Sequence, residues 1–514
     1  MTTLHVTNAK IWTGDPARPF ATTLTIEDGR VTAIDAPHAG EPILDCKGDF
    51  VTPGLIDAHM HLALGGETLS QTDLSQATSR EAFEAQLATD HQTLPPNQWL
   101  IANGWSEGTL GDTPDQSWLH VCGERPTVCW RMDLHAALVN QAVIDRLELP
   151  DDEAMARTGG RIGRNPDGTP NGELVEQAAW LHLIPMIPEA PLQARRDALL
   201  AATKHCLTLG LTTVRTMEYR EVLQHVIEPM RDQMQLRCAI VLLDRTLPLD
   251  LEWVGDFRSD EQLQIIGCKS FLDGTIGSRT ARLHDAWLDR PGDHGELVEL
   301  ALENKLHEWQ AHVHANGLDT AVHAIGDAAV SIALDLHDAA AGETRCVIEH
   351  AELVRDEDLA RTAGVLLSMQ PLHRAADAGD AILGLGPDRI GMLAPLKRLQ
   401  DVGADFAFGS DWPVVDCDPR PGLKAAITGE DLRGEPILPD ESISPEAALR
   451  GWTSGAALAC RRRDIGQLQP QACGDLVRWS DDLLRLDWSK NTPRVLTTVL
   501  GGKVVYDVDR GIEP

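Results

Sequence analysis

The sequence predicts an α/β protein: a (β/α)8 TIM barrel with an inserted α/β subdomain, beside a small β-sandwich built from both termini. Three observations predict it. Apolar strands alternate with amphipathic helices through the middle of the chain, glycines punctuate the helix ends, and both ends of the chain read as short strands and turns.

At the start, Leu4 to Trp12 alternates, Ala21 to Ile26 follows, and Asp28-Gly29 turns the chain into Arg30 to Ile34. At the far end, Asp475 to Trp479 and Val495 to Leu500 precede Gly501-Gly502 and a returning strand, Lys503 to Tyr506. One β-sandwich formed by residues 1–52 and 458–514 accounts most economically for both ends. Between them, residues 53–457 carry the barrel. Helical stretches Ala194 to Leu209, Glu303 to Asn316, Asp356 to Ala363 and Lys397 to Val402 stop at Gly210, Gly317, Gly364 and Gly403, each followed at once by an apolar run. Glycine just past a helix takes the left-handed cap conformation without a Cβ clash. Further runs at Leu55 to His59, Leu236 to Leu243, Leu263 to Phe271 and Arg345 to His350 bring the count to about eight strands. The stretch of about 66–192 breaks the alternation. It contains Trp99 to Trp105, Thr127 to Leu134 and the turn Asn165-Pro-Asp-Gly168, and reads as an insert over the barrel mouth, where βα loops carry function.

Of 514 residues, 43% are hydrophobic and 24% charged, which excludes wholesale disorder. The 45 basic and 78 acidic residues give a net charge of −33, so nucleic acid and anionic membrane surfaces are repelled. Only nine of the basic residues are lysine, and this acidic, lysine-poor balance fits a salty habitat and high solubility equally. No apolar run approaches the roughly 20 residues of a membrane span, and no secretory pattern opens the chain, so a cytoplasmic location is expected. The ten cysteines include no CxxC pair, which predicts reduced thiols.

The strongest local signal is Val51-Thr-Pro-Gly-Leu-Ile-Asp-Ala-His59-Met-His61, an apolar strand finishing in His-x-His. Side chains two apart on a strand share a face, so both imidazoles can meet one ion at the barrel's carboxyl rim. A second His-x-His, His312 and His314, lies in a helical stretch, where positions two apart diverge by about 200°, and is not expected to hold a metal. His323 closes Thr-Ala-Val-His, His350 closes Val-Ile-Glu-His, and Asp411 follows Phe-Ala-Phe-Gly-Ser. Groups at strand ends of one barrel face one opening. Lys269 lies within an apolar run, where an inward ammonium is costly. A neutral lysine there can take up carbon dioxide to form a carbamate, an anionic oxygen ligand able to bridge two metals; the alternative is a lysine facing outward or paired with Asp273.

These residues resemble the amidohydrolase superfamily, and within it the N-substituted formamide deformylase-like, or YtcJ-like, branch (amidohydrolase family 3). The resemblance covers essentially the whole chain. It rests on the His59-Met-His61 motif, on Lys269-Ser-Phe-Leu-Asp-Gly-Thr-Ile-Gly-Ser-Arg-Thr-Ala, and on His323-Ala-Ile-Gly-Asp, Ile-Glu-His350-Ala, Ser-Met-Gln-Pro371 and Gly-Ser-Asp411-Trp-Pro. It implies that His59, His61, His323 and His350 are metal ligands, Lys269 an N6-carboxylated bridge and Asp411 the metal-associated acid and base. It also implies one or two divalent ions, zinc first, with iron or manganese as alternatives, and metal-assisted hydrolysis of a non-peptide C–N bond in a small molecule. A homodimer is the expected assembly. Asp273 and Arg279, on the loop after Lys269, and His135, Gln370 and Trp105 are candidates for contacting substrate.

Three other readings compete. A deaminase acting on a cyclic amidine would use similar machinery. Gly104-Trp-Ser106-Glu-Gly108 matches the nucleophile elbow of serine hydrolases, which requires a strand, a sharp turn and a helix. A metal-free scaffold should lack ligands, and here the set is complete.

Overall fold

Eight parallel strands form the centre of the molecule: Leu55–Met60, Leu211–Glu218, Arg237–Leu242, Leu263–Phe271, Asp319–Ala324, Cys346–His350, Leu366–Met369 and Asp405–Phe408. They pair in sequence order, each with the next. The computed structural model describes residues 3–37, 40, 43–340 and 342–514.

The first and eighth strands are the two edges of this sheet, and side-chain and main-chain bonds draw them together. The Asp57 carboxylate accepts the Ser410 amide at 3.1 Å, and the His59 carbonyl accepts the Asp411 amide at 2.6 Å. Gly409 stands at this seam because a Cβ there would lie 2.5 Å from the His59 nitrogen. Inside the barrel, Ala58, Met217, Val241, Ala321, Val347 and Ala407 share one buried cluster with Ala456, Ala457, Cys460 and Ile465. Small and branched side chains fill the interior, and the chain around residues 456–465 seals its floor before running on to Leu476–Trp479.

The helix-ending glycines behave as their position requires: Gly210, Gly317, Gly364 and Gly403 have φ of 84°, 73°, 74° and 88°. Two helices are more broken than the sequence pattern suggests. Of the stretch from Glu303 to Asn316 only Leu306–Ala315 is helical; a separate turn, Glu299–Leu302, precedes it, and Asn304 between the two has a φ of 57°, a conformation asparagine tolerates. The stretch from Asp356 to Ala363 is one α-turn followed by a 3-10 turn.

Two sheets lie at the chain's ends. One has four strands, all from the first 45 residues; the other has six and pairs Leu476–Trp479 antiparallel with Phe50–Pro53. Val6, Ile11, Val51, Leu468, Leu476 and Val499 form their shared core. Between the first and second barrel strands, the chain builds a further six-stranded mixed sheet from Thr72–Asp73 to Pro170–Glu176. Its Asn165–Gly168 turn joins Gly160–Arg164 to the last of these strands. All ten cysteines are buried and free. Among the described residues, no helix is long and apolar enough to cross a membrane.

Candidate metal centre and active site

The barrel's carboxyl ends open into a cavity of about 1390 Å³, walled on one side by the insert. His61, Lys269, His323, His350 and Asp411 line it, and His59 lies buried behind them. Asp411 Oδ1 is 3.2 Å from His59 Nε2 and 3.4 Å from His61 Nε2, so His59 on the first strand and His61, at the N-cap of the helix that follows it, do reach one point. Lys269 points inward, with Nζ 2.9 Å from His59 Nε2. The His59 and His350 rings lie 4.8 Å apart, and those of His350 and His323 4.4 Å.

The chain bends sharply to make this convergence. His350 and Asp411 take φ of 71° and 61°, a region that a side chain enters only when the surroundings impose it. Pairing of the first strand with the second shifts register between Val214 and Thr216, opposite Asp57 and Met60, and such a bulge re-aims side chains at a barrel rim.

Three of the four histidines have one ring nitrogen tied to an acceptor. His59 Nδ1–H donates to Glu349 Oε2 at 2.5 Å, His350 Nδ1–H to Gln370 Oε1 at 2.8 Å, and His323 Nε2–H to the Gly274 carbonyl at 3.1 Å. The remaining nitrogen of each then carries a lone pair, and the acceptor fixes the ring's orientation. His350 Nε2 and Asp411 Oδ1 are buried with no hydrogen-bond partner among the described residues. Buried polar atoms left without a partner are what a cation site supplies, and one ligand atom from each of His59, His61 and Asp411 lies within 4.8 Å of the others.

The electrostatics agree. Burial pushes His61, His323 and His350 below the ordinary imidazole value, and Lys269 adds to this at His323 and His350. Neutral imidazole is the ligating form. Burial brings the Lys269 amine down to about 8. Burial opposes ionisation of Asp411, but the surrounding imidazoles hold its carboxyl well below the usual carboxylate range. Burial likewise opposes the charge on Glu349, yet Arg215 and His59 bring it to about 2. Arg215 Nη1 donates to Glu349 Oε1 at 2.7 Å and to the Ala58 carbonyl at 3.1 Å.

Of the residues expected to touch substrate, His135 lines the cavity, its Nδ1 3.0 Å from Glu176 Oε2. The other four do not line it. Asp273 is buried beneath the loop, accepting the amides of Arg282, Ile325 and Gly326 at 2.8, 3.0 and 2.8 Å. Arg279 turns away, because Asp289 and the Ile276 carbonyl take its guanidinium at 2.9 and 2.7 Å. Gln370 is occupied by His350, and Trp105 donates to the Cys129 carbonyl at 2.9 Å inside the insert's core. A four-residue helix, Glu107–Leu110, does follow Ser106, but the serine oxygen caps it by accepting the Thr109 amide at 3.2 Å. Among the described residues no histidine bonds to it. His314 lies in Leu306–Ala315, beside Thr320 Oγ1 at 3.2 Å, and His312 is exposed. Sequence reasoning missed Glu349 and Arg215 as orienting groups, and Glu352, His373 and Asp377 as further polar members of the cavity wall. Glu349 stands next to His350, which was signal enough to look for it.

The insert is fastened over the mouth by buried charge. Asp133 Oδ2 accepts Arg131 Nη1 at 2.5 Å, Thr275 Oγ1 at 2.6 Å and Ser278 Oγ at 3.0 Å. Gly277 must lack a side chain here, since a Cβ would lie 2.0 Å from Arg131 Nη1.

An eight-stranded parallel barrel with histidines, a lysine and an aspartate gathered at one rim has the architecture of a barrel hydrolase. Residues 43–506 match the model of the amidohydrolase family, and the chain belongs to that family. It is 30% identical to the protein LONG AFTER FAR-RED 3 of Arabidopsis thaliana, over 98% of this chain and 91% of that one. It is 25% identical to the N-substituted formamide deformylase of Arthrobacter pascens, over 90% of each. The crystal structure of an uncharacterized metal-dependent hydrolase from Pyrococcus horikoshii superposes with a TM-score of 0.76 at 25% identity, covering 95% of this chain and all of the other.

Proposed function

We propose that the protein is a metal-dependent hydrolase cleaving a non-peptide C–N bond in a small amide-type molecule: an N-substituted formamide, an N-acyl compound or a cyclic amide. The observation that carries this reading is the convergence of His59, His61 and Asp411, whose ligand atoms lie within 4.8 Å of one another, with Asp411 Oδ1 and the nearby His350 Nε2 buried and without a hydrogen-bond partner among the described residues. The formamide deformylase among its relatives supports the choice of an amide-type bond.

His59, His61, His323, His350 and Asp411 would hold one or two divalent ions, with Lys269 as a further ligand. A mixed set of imidazole and oxygen donors suits zinc first, then iron or manganese. A bound ion of this kind supplies Lewis acidity toward a carbonyl and a nucleophile at neutral pH. Lys269 is read as N6-carboxylated: its uncharged amine adds to carbon dioxide, releases one proton and becomes an anionic oxygen donor. Burial favours that exchange, because an ammonium 2.9 Å from His59 would oppose a cation at the same point. Asp411 takes a proton from the attacking water and delivers it to the leaving nitrogen, which departs as a neutral amine. Trp130, Leu134, Trp180 and Phe271 give the substrate's apolar part a wall to lie on.

Metal analysis of the purified protein, with an activity screen over N-formyl, N-acyl and cyclic amides before and after chelation, tests this. Bound divalent metal and chelator-sensitive cleavage are expected. Cleavage that survives complete removal of metal, or a protein that takes up no metal on reconstitution, would overturn it.

A further inference from the structure

The same cavity wall carries another imidazole, His373, which the hydrolytic scheme above leaves unused. It lies in the first turn of the helix Pro371–Ala376, which starts directly after the seventh strand and whose preceding residue, Gln370, holds His350. His373 Nδ1–H donates to Glu352 Oε1 at 3.0 Å. Glu352 follows His350 by two residues, so one carboxylate on the sixth-strand loop fixes the ring carried by the seventh. The His373 ring is 5% exposed and lines the cavity, while its Nε2 is buried without a hydrogen-bond partner among the described residues. It stacks over His350, with centroids 6.1 Å apart and planes within 11°.

An imidazole with one nitrogen locked by a carboxylate and the other left unpaired at a cavity wall is arranged for a ligand atom that completes it. His135, also on the cavity wall, is held in part the same way: Glu176 takes its Nδ1, and its ring lies 5.6 Å from that of His323. Two carboxylate-held imidazoles therefore flank the histidines of the fifth and sixth strands. We propose that His373, oriented by Glu352, is a substrate-contacting residue whose Nε2 hydrogen-bonds the amide group under attack. The assignment rests on the hydrolytic reading for the kind of substrate. A further cation held by His350, Glu352 and His373 is the competing occupant, since their ligand atoms lie within 4.8 Å of one another. The two are separated by metal content, which a substrate contact leaves unchanged when the His373 ring is removed.

The test uses the metal-loaded full chain and two readouts: the affinity of acetohydroxamate, an amide analogue that binds by chelating the metal, by calorimetry, and kcat and KM on the best amide of the screen. His373→Ala should weaken both probe affinity and kcat/KM roughly tenfold or more with metal content unchanged, while Tm falls because Glu352 is left buried without its partner. His373→Gln should recover part of the loss, because its side-chain amide reaches the same position and can accept or donate there, and Glu352→Gln, which keeps an acceptor for the ring, should lose less. Unchanged affinity in His373→Ala, no probe binding to the wild type, or loss of affinity together with an equivalent of metal would each overturn the assignment. If the wild type cleaves no amide, the hydrolytic reading fails, and the probe affinities still decide the role of His373.

Discussion

Glu349 aims His59: its carboxylate takes the Nδ1 proton at 2.5 Å, so the end of the sixth strand sets the tautomer and tilt of an imidazole on the first. Arg215 holds the other carboxylate oxygen, making a buried triad of three strands behind the proposed metal centre. Breaking such a triad at one member leaves a charge stranded in the barrel. Arg215→Met should therefore destabilise the fold by about 3–5 kcal/mol, read as a drop in the urea midpoint.

The same triad sets an acid limit. Folding lowers the Glu349 pKa from 4.5 to about 2, so its contribution is fully present above about 4.5 and is lost as pH falls toward 2. Urea unfolding of wild type and Glu349→Gln between pH 2.5 and 6 should converge as pH falls. Parallel curves across that range would show that the carboxylate contributes no pH-dependent stability.

Asp411→Asn keeps an oxygen at the centre but cannot carry the proton. Metal content should stay near the wild-type level while kcat drops roughly 10²–10⁴-fold. Full turnover in this variant would remove Asp411 from the proton path.

Lys269→Ala should lower metal occupancy and abolish the benefit of bicarbonate during reconstitution of metal-free protein. Wild-type metal content with no response to bicarbonate would argue against a carboxylated bridge.

Asp133→Ala strips three donors, from Arg131, Thr275 and Ser278, of one shared acceptor. The loss should be about 2–4 kcal/mol, with protease cleavage appearing within residues 66–192 before the barrel unfolds. Limited proteolysis with mass spectrometry reads this directly.

Strand ends proved the most legible part of the chain. A histidine closing an apolar run must emerge at a barrel rim, so His59, His323 and His350 could be placed from spacing alone. Loops were harder, because a residue's distance from a strand end says nothing about which way its loop folds. Asp273 and Arg279 follow Lys269 closely, yet three backbone amides claim the first and Asp289 the second. His373 was hidden for the converse reason. Its partner Glu352 belongs to a different loop, and only tertiary structure brings the two together.

Asp57 and Ser410 are 353 positions apart, and their bond joins the two edges of the eight-stranded sheet at the point where His59 meets Asp411. Closing the sheet and assembling the proposed metal pocket are thus one event. A nascent chain still short of residue 411 has most of the proposed ligands but not the cage, so on that proposal tight capture of an ion awaits synthesis of nearly the whole polypeptide.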